Sequence, residues 1–190
     1  MLATTSLMDL DLRILYLDLE NAISKSWMET FGITQNAINI KFANPFLLEE
    51  AAQLVLDSIA DYDLIVFDSV GSALYKTEDV NEFGTANVGV KAKLMTQFMR
   101  KLIGPLARTT CAVVFVNQEK PSIGDMYAPK WYTPGGKALE YASSLRLRLT
   151  SNKSDRIVKD GNKVGKKVHA EVTKNKVGRP DTDASFLIYY

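Results

Sequence analysis

Three apolar segments of this chain each end in polar side chains that could act on a phosphate-containing ligand. The pairs are Asp18 and Glu20, Asp68 and Ser69, and Asn117 and Gln118. In open α/β sheets, ligands bind beyond the carboxyl ends of the strands. If the three segments are strands of one such sheet, these side chains share one edge. The sequence therefore predicts a binding site at that edge.

The three pairs offer complementary chemistry. A carboxylate such as Asp68, directly after an apolar strand, can hold Mg²⁺ beside a phosphate chain, either directly or through water. A glutamate on a neighbouring strand, such as Glu20, can orient and deprotonate an attacking water. The amide of Gln118 can sense a terminal phosphate by hydrogen bonding. The alternative is that these residues only end strands and cap the helices that follow.

A second set of candidate residues lies in the long segment after Gln118. Residues 119–137 combine lysines with aromatic side chains: Lys120, Tyr127, Lys130, Trp131, Tyr132 and Lys137. Cations follow a phosphate backbone and rings contact bases, so this combination favours binding of single-stranded nucleic acid. Glu119 and Asp125 lie in the same segment, which leaves a solvated or interface loop as the alternative.

Two further pairs of basic residues could contact phosphates. Lys93 and Arg100 fall on one face of a predicted helix. Lys174 and Lys176 fall on one side of a predicted strand, by the period of two. In both cases the alternative is an ordinary charged face in water.

The order of predicted elements is that of an α/β domain. Apolar runs predict strands over residues 13–18, 37–42, 64–68 and 111–116. Helices are predicted over residues 22–31, 45–60 and 87–107. This alternation favours a mainly parallel sheet. After the irregular segment 119–134, we expect a short helix over 136–141 and strands over 144–150, 167–174 and 185–190. A hairpin turn at Asp160 and Gly161 makes these last strands an antiparallel C-terminal extension of the sheet.

Composition bounds the class of protein. The 190 residues, of which 46% are hydrophobic, fit a single domain over residues 1–190 with a sizeable core. The net charge of +1 gives no overall reason to bind nucleic acid, so that argument must be local. Cys111 is expected to be a small buried residue, and the single histidine, His169, argues against a zinc site. Without a long apolar segment, a soluble cytoplasmic protein with no membrane contact is expected.

Taken together, these residues resemble the RecA-type recombinases of bacteria and phages. The resemblance runs from about residue 13 to residue 190. Six segments carry it: YLDLENA (16–22), VFDSV (66–70), MTQFMRKL (95–102), FVNQ (115–118), GGKAL (135–139) and KNK (174–176). No segment is decisive alone, but their order and spacing together are typical of the family.

The resemblance implies a RecA-like P-loop NTPase core that uses ATP and Mg²⁺. In such a core Glu20 would be the glutamate that activates water. Asp68, with Ser69 beside it, would lie near Mg²⁺, and Gln118 would sense the γ-phosphate. Trp27 falls where the family places an aromatic residue against adenine.

The resemblance also implies a filament on DNA, formed by copies of the chain or with complete recombinase protomers. Lys174 and Lys176 would reach the ATP of a neighbouring subunit. Residues 78–88 and 119–134 correspond to the first and second DNA-binding loops of the family. The complete filament would bind single-stranded DNA and promote its pairing with double-stranded DNA. The implied DNA-binding residues are Val88, Lys93, Arg100, Lys120, Ile123, Tyr127, Lys130, Trp131, Gly135 and Gly136.

The sequence departs from the family pattern at several positions. Ser24 stands where an aspartate often faces adenine, and Glu119 begins the second loop where an apolar residue is common. The 190 residues contain no G-x-x-x-x-G-K-S/T phosphate loop, and residues 134–138, PGGKA, are not a substitute. We therefore expect a core truncated before its phosphate loop, without the family's N-terminal arm and small C-terminal domain, that does not hydrolyse ATP appreciably by itself.

Two alternatives to a DNA-dependent ATPase core remain. The chain could be a non-catalytic accessory module that joins or modulates a complete recombinase filament. It could also be a hexameric helicase relative on the same fold, although the loop after Gln118 and the pair Lys174 and Lys176 argue against this.

Overall fold

A computed structural model describes residues 12–30, 33, 39–76, 89–122, 131–179 and 182–190. The chain divides into two compact units, Met1–Leu139 and Glu140–Tyr190. The sequence analysis expected a single domain over residues 1–190. The division into two compact units does not test that expectation, which stays a prediction. No helix of the described residues is long and apolar enough to cross a membrane.

The first unit is built on a parallel four-stranded sheet. Its strands are β1 (Ile14–Asp18), β2 (Ile40–Ala43), β3 (Leu64–Asp68) and β4 (Ala112–Phe115), in the order β2-β1-β3-β4. Every neighbouring pair is parallel, so all four strands end at the same edge. The mainly parallel sheet predicted from the alternation of elements is confirmed.

Buried apolar residues of β1 and β3 form the centre of the first unit. Ile14, Leu17, Ile65 and Phe67 are each 0% exposed, as expected for central strands covered on both faces. The ring of Phe67 packs 6.3 Å from that of Phe98 and 5.5 Å from that of Phe115. Removal of these groups from water fixes the strand ends that carry the candidate site.

Within the described residues, three helices accompany the parallel sheet. They are α1 (Lys25–Thr30), α2 (Leu48–Ser58) and α3 (Val90–Leu106). α2 begins where the Glu50 carboxylate accepts hydrogen bonds from the backbone N–H groups of Phe46 and Leu47, which satisfies donors at the helix start. α3 buries Met95, Phe98, Met99 and Leu102, which follow the helical period seen in the sequence.

The segment predicted to be irregular contains a short ladder. β5 (Lys120–Pro121) pairs antiparallel with β6 (Trp131–Tyr132). Helix α4 (Lys137–Ala142) follows, one residue later than the predicted helix.

The second unit is an antiparallel sheet. β7 (Leu145–Thr150), β9 (Asn162–Asn175) and β10 (Asp183–Tyr189) lie in the order β10-β9-β7, and β8 (Arg156–Lys159) also pairs with β9. Asp160 and Gly161, with φ angles of 51° and 77°, make the predicted turn. The antiparallel C-terminal strands are thus confirmed. They form a sheet of their own, and the turn joins β9 to β8, a strand that the sequence did not predict.

Candidate functional site

Asp18 organises the turn that carries Glu20. β1 ends at Asp18, which is 3% exposed. Its carboxylate accepts hydrogen bonds from the backbone N–H groups of Ala22 (3.3 Å) and Ile23 (3.0 Å). The backbone N–H of Leu19 donates to the carbonyl of Asp68 at 2.6 Å, which extends the pairing of β1 with β3. Glu20 is therefore held beside the end of β3.

This geometry makes Asp18 a structural residue with a measurable effect. Replacing Asp18 with alanine removes the acceptor of two backbone donors and is expected to lower the free energy of unfolding by about 1–3 kcal/mol. Urea unfolding followed by circular dichroism measures it. The matched control is Asp57→Ala, because Asp57 accepts one exposed hydrogen bond from Gln53. This variant should change the free energy of unfolding by no more than about 0.5 kcal/mol. Equal losses in both variants would contradict this role.

Three donors from two other strand ends converge on the Glu20 carboxylate. The hydroxyls of Ser72 and Ser69 donate to Oε1 at 2.6 Å and 2.7 Å, and the side-chain amide of Gln118 donates to the same oxygen at 3.3 Å. The hydrogen bonds from Ser72 and then Ser69 hold the pKa of Glu20 below its ordinary value. The arrangement keeps a negative charge at the edge of the sheet, at neutral pH, where it can accept a proton or orient a polar ligand.

Asp68 lies at the same edge and is held by a residue that the sequence analysis missed. The hydroxyl of Tyr16 on β1 donates to Oδ2 of Asp68. Burial raises the pKa of Asp68, against the effect of this hydrogen bond, and burial also raises the pKa of Tyr16. In the register Tyr16 lies opposite Val66, two residues before Asp68, so both side chains fall on one face of the sheet. The signal in the sequence was the hydroxyl of Tyr16, which lies among aliphatic residues in β1.

The side chain of Asn117 joins the two ends of the segment that follows Gln118. Its Nδ2 donates to the carbonyl of Pro134 at 2.9 Å, and its Oδ1 accepts the backbone N–H of Gln118 at 3.0 Å. The side chain therefore ties the two ends of the loop together at the point where Gln118 reaches Glu20.

Gly135 and Gly136 have a packing reason to be glycine. Their φ angles are +90° and +73°, a region that favours glycine. A Cβ on Gly135 would lie 3.0 Å from Cγ1 of Val70, and a Cβ on Gly136 would lie 2.8 Å from Cβ of Ala92. Close packing against Val70, two residues after β3, and against Ala92 in the first turn of α3 explains the two glycines without DNA. Their contact with DNA stays a prediction.

The structure describes some of the other residues that are predicted to contact DNA. Lys93 and Arg100 are exposed on α3, Lys120 is exposed on β5, and Trp131 on β6 is 49% exposed. Val88, Ile123, Tyr127 and Lys130 lie outside the described residues. Trp27 lies in α1, but its side chain is likewise outside what the structure describes, so its place against adenine stays a prediction.

In the second unit, Lys174 and Lys176 are directed to the end of α4. The ammonium of Lys174 donates to the carbonyls of Glu140 (2.6 Å) and Tyr141 (3.0 Å), and that of Lys176 donates to Tyr141 at 3.4 Å. Burial, and then the charge of Lys176, lowers the pKa of Lys174. The pair caps carbonyl groups at a helix end, a common place for lysines, and each ammonium has three N–H donors. The bonds to these carbonyls take two N–H donors of Lys174 and one of Lys176.

Comparison with known proteins gives a consistent result. The family model described as the RecA N-terminal domain matches residues 7–190. The chain is 37% identical over 173 residues to protein RecA of Rhodopirellula baltica. This alignment covers 90% of this chain and 45% of that protein. It is 35% identical over 178 residues to protein RecA of Thermus aquaticus, which covers 92% of this chain and 51% of that protein. The chain thus spans about half the length of the curated relatives it matches.

A solved structure shows the same fold. The crystal structure of the RadB recombinase is similar to this chain with a TM-score of 0.61 and covers 97% of it and 78% of the solved chain. Sequence identity to that structure is 19%, so this likeness concerns the fold alone.

Proposed function

Because the chain belongs to the RecA family, we propose that it is the nucleotide-hydrolysing core of a homologous recombination protein that assembles on single-stranded DNA. The observation that carries the proposal is the convergence of Ser69, Ser72 and Gln118 on one oxygen of Glu20, at the carboxyl edge of a parallel sheet. This is the edge at which ligands of such sheets bind.

The donors at this edge fit a nucleotide with its magnesium ion. The carboxylate of Asp68 and the hydroxyl of Ser69 are the oxygen ligands that Mg²⁺ prefers, directly or through water. Bound there, Mg²⁺ would neutralise charge on the phosphates of ATP. Glu20 orients the attacking water and accepts its proton, which its ionised state allows. Gln118 exchanges its bond to Glu20 for one to the terminal phosphate.

Under this proposal, the other predicted residues contact ATP, the nucleotide of a neighbouring subunit, or DNA. Trp27 packs against the adenine ring. Lys174 and Lys176 use their remaining N–H donors to reach the nucleotide of a neighbouring subunit. DNA is held by Lys93 and Arg100 on α3, and by the DNA-binding residues of the two segments before α3 and after Gln118 that the sequence analysis named. Asn117 supports the proposal, since it joins both ends of the second segment next to Gln118.

The contribution of the second segment can be measured by single-strand binding. Replacing Lys120, Lys130 and Lys137 together with alanine is expected to weaken binding of a fluorescein-labelled oligothymidylate by at least about tenfold at low salt, because three phosphate contacts are lost. The slope of log K against log salt should fall by about 2, since each contact on a single strand contributes about 0.7. Fluorescence anisotropy over a salt series measures both quantities.

The matched control removes the same charge elsewhere. Lys153, Lys159 and Lys163 are exposed in the second unit, and their triple alanine variant should bind nearly as well as the unchanged chain. If both triple variants lose affinity and slope equally, DNA binding is a property of net charge, and the placement in residues 119–137 is wrong.

A second candidate function, the alternative that the sequence analysis left open, is that of a filament partner. As an accessory module, the chain would join a filament of a complete recombinase. Co-sedimentation with such filaments on single-stranded DNA, without ATP hydrolysis attributable to this chain, would favour it over the catalytic core.

A further inference from the structure

We propose that Ser72 and Lys91 are positioning residues that connect the first turn of α3 to the Glu20 carboxylate, through the turn formed by residues 69–72. The inference rests on the proposed function for the meaning of Glu20, but the contacts that carry it are independent of any bound ligand.

The first step is the contact of α3 with this turn. Lys91 lies in the first turn of α3, and its ammonium donates to the carbonyl of Gly71 at 3.1 Å. The same ammonium lies 6.0 Å from the ring centre of Tyr75, a residue that is 7% exposed. A cation near a buried ring and a backbone carbonyl is held at a defined place. The carbonyl of Gly71 is part of the peptide group that leads directly into Ser72.

The second step is the contact of this turn with Glu20. Ser72 makes the shortest of the three hydrogen bonds to Oε1, at 2.6 Å, and its hydroxyl lies 3.0 Å from that of Ser69. Gln118 reaches the same oxygen at 3.3 Å. Because the donors share one acceptor, a displacement of Ser72 changes how strongly Glu20 holds Gln118. Ser72 therefore sets the position and the basicity of the carboxylate.

The route differs from the one through Gln118. Residues 78–88, which the family resemblance relates to DNA, precede α3 directly in the sequence. Gln118 connects Glu20 with the segment that follows β4, whereas Lys91, Gly71 and Ser72 connect it with α3. Lys91 and Gln118 are thus connected with Glu20 by separate hydrogen bonds, one route through the turn at Ser72 and the other direct.

The test is the carboxyl ¹³C signal of Glu20 in the full chain labelled at the glutamate side chains, assigned with the variant Glu20→Gln. Ser72→Ala is expected to move this signal by more than its line width at constant pH, and Ser72→Thr, which keeps the hydroxyl, to restore most of the original position. Lys91→Met keeps an unbranched side chain as far as the ε position and removes the ammonium, and it should move the signal in the same direction as Ser72→Ala. Thermal unfolding shows that each variant is folded.

Lys101→Met, on an exposed position of the same helix, is the matched control and should leave the signal in place. An unchanged signal in Lys91→Met, or equal changes in Lys91→Met and Lys101→Met, overturns the proposal even if Ser72→Ala does not fold. The measurement contains neither ATP nor DNA, so failure of single-strand binding would refute the proposed function while this result stands.

Discussion

Gly136→Ala is expected to lower the free energy of unfolding by about 2–4 kcal/mol. The φ angle of +73° disfavours any residue with a Cβ by about 1–2 kcal/mol. The added carbon would also lie 2.8 Å from Cβ of Ala92, which forces α3 or the backbone around Gly136 to shift, and such overpacking costs about 1–3 kcal/mol. Urea unfolding measured by circular dichroism gives the free energy directly.

Gly104→Ala is the matched control and lies on α3, the helix that Gly136 contacts through Ala92. Apart from its chain neighbours, a Cβ on Gly104 meets no described atom within 4 Å, and the residue lies inside α3. Alanine is the better helix former, but Pro105 follows directly and disfavours a helical residue with a Cβ before it. Because these two effects oppose each other, the free energy of unfolding should change by less than about 1 kcal/mol. Similar losses in both variants would mean that Gly136 is not constrained by its contact with Ala92. If the predicted loss is found, weaker DNA binding by Gly136→Ala is no evidence of a DNA contact.

The sequence was sufficient to predict the arrangement of Glu20 and Gln118. Apolar runs ending in polar residues predicted parallel strands, and parallel strands must end at one edge. The hydrogen bond from Gln118 to Glu20 follows from that arrangement, although the two residues are 98 positions apart. Their roles in ATP hydrolysis are not tested by this contact and stay predictions.

The sequence could not predict the side chains that hold the site together. Ser72 and Tyr16 are 52 residues from Glu20 and Asp68, respectively, and only the register of β1 with β3 brings each pair together. Lys91 could not be separated from other lysines of α3, because its partner is a backbone carbonyl, which carries no signal in the sequence. The same limit applies to β8, which has four residues and depends on its pairing with β9.

The largest effect on activity is expected when the chain is given a phosphate loop. The 190 residues by themselves should hydrolyse ATP no faster than the buffer, because no G-x-x-x-x-G-K-S/T is present to hold the phosphates. Among the described strands, β4 pairs only with β3, and Val114 and Val116 beside that open edge are 47% and 37% exposed. A strand, a G-x-x-x-x-G-K-S/T loop and a helix fused before the chain therefore have an edge to pair with, and we expect DNA-stimulated turnover of about 0.1–10 s⁻¹.

In this fusion, Glu20→Gln should lower kcat by about 10²–10⁴, the usual contribution of a general base, while ATP binding is kept. Glutamine retains the oxygen that accepts the hydrogen bonds of Ser69 and Ser72, so loss of the charge, rather than loss of the fold, is what the variant reports. Glu29→Gln, at an exposed position of α1, removes the same charge away from the site and should leave kcat unchanged. Phosphate release with and without single-stranded DNA measures the rates. Equal turnover in Glu20→Gln and Glu29→Gln would show that Glu20 is not the base, whatever donors surround it.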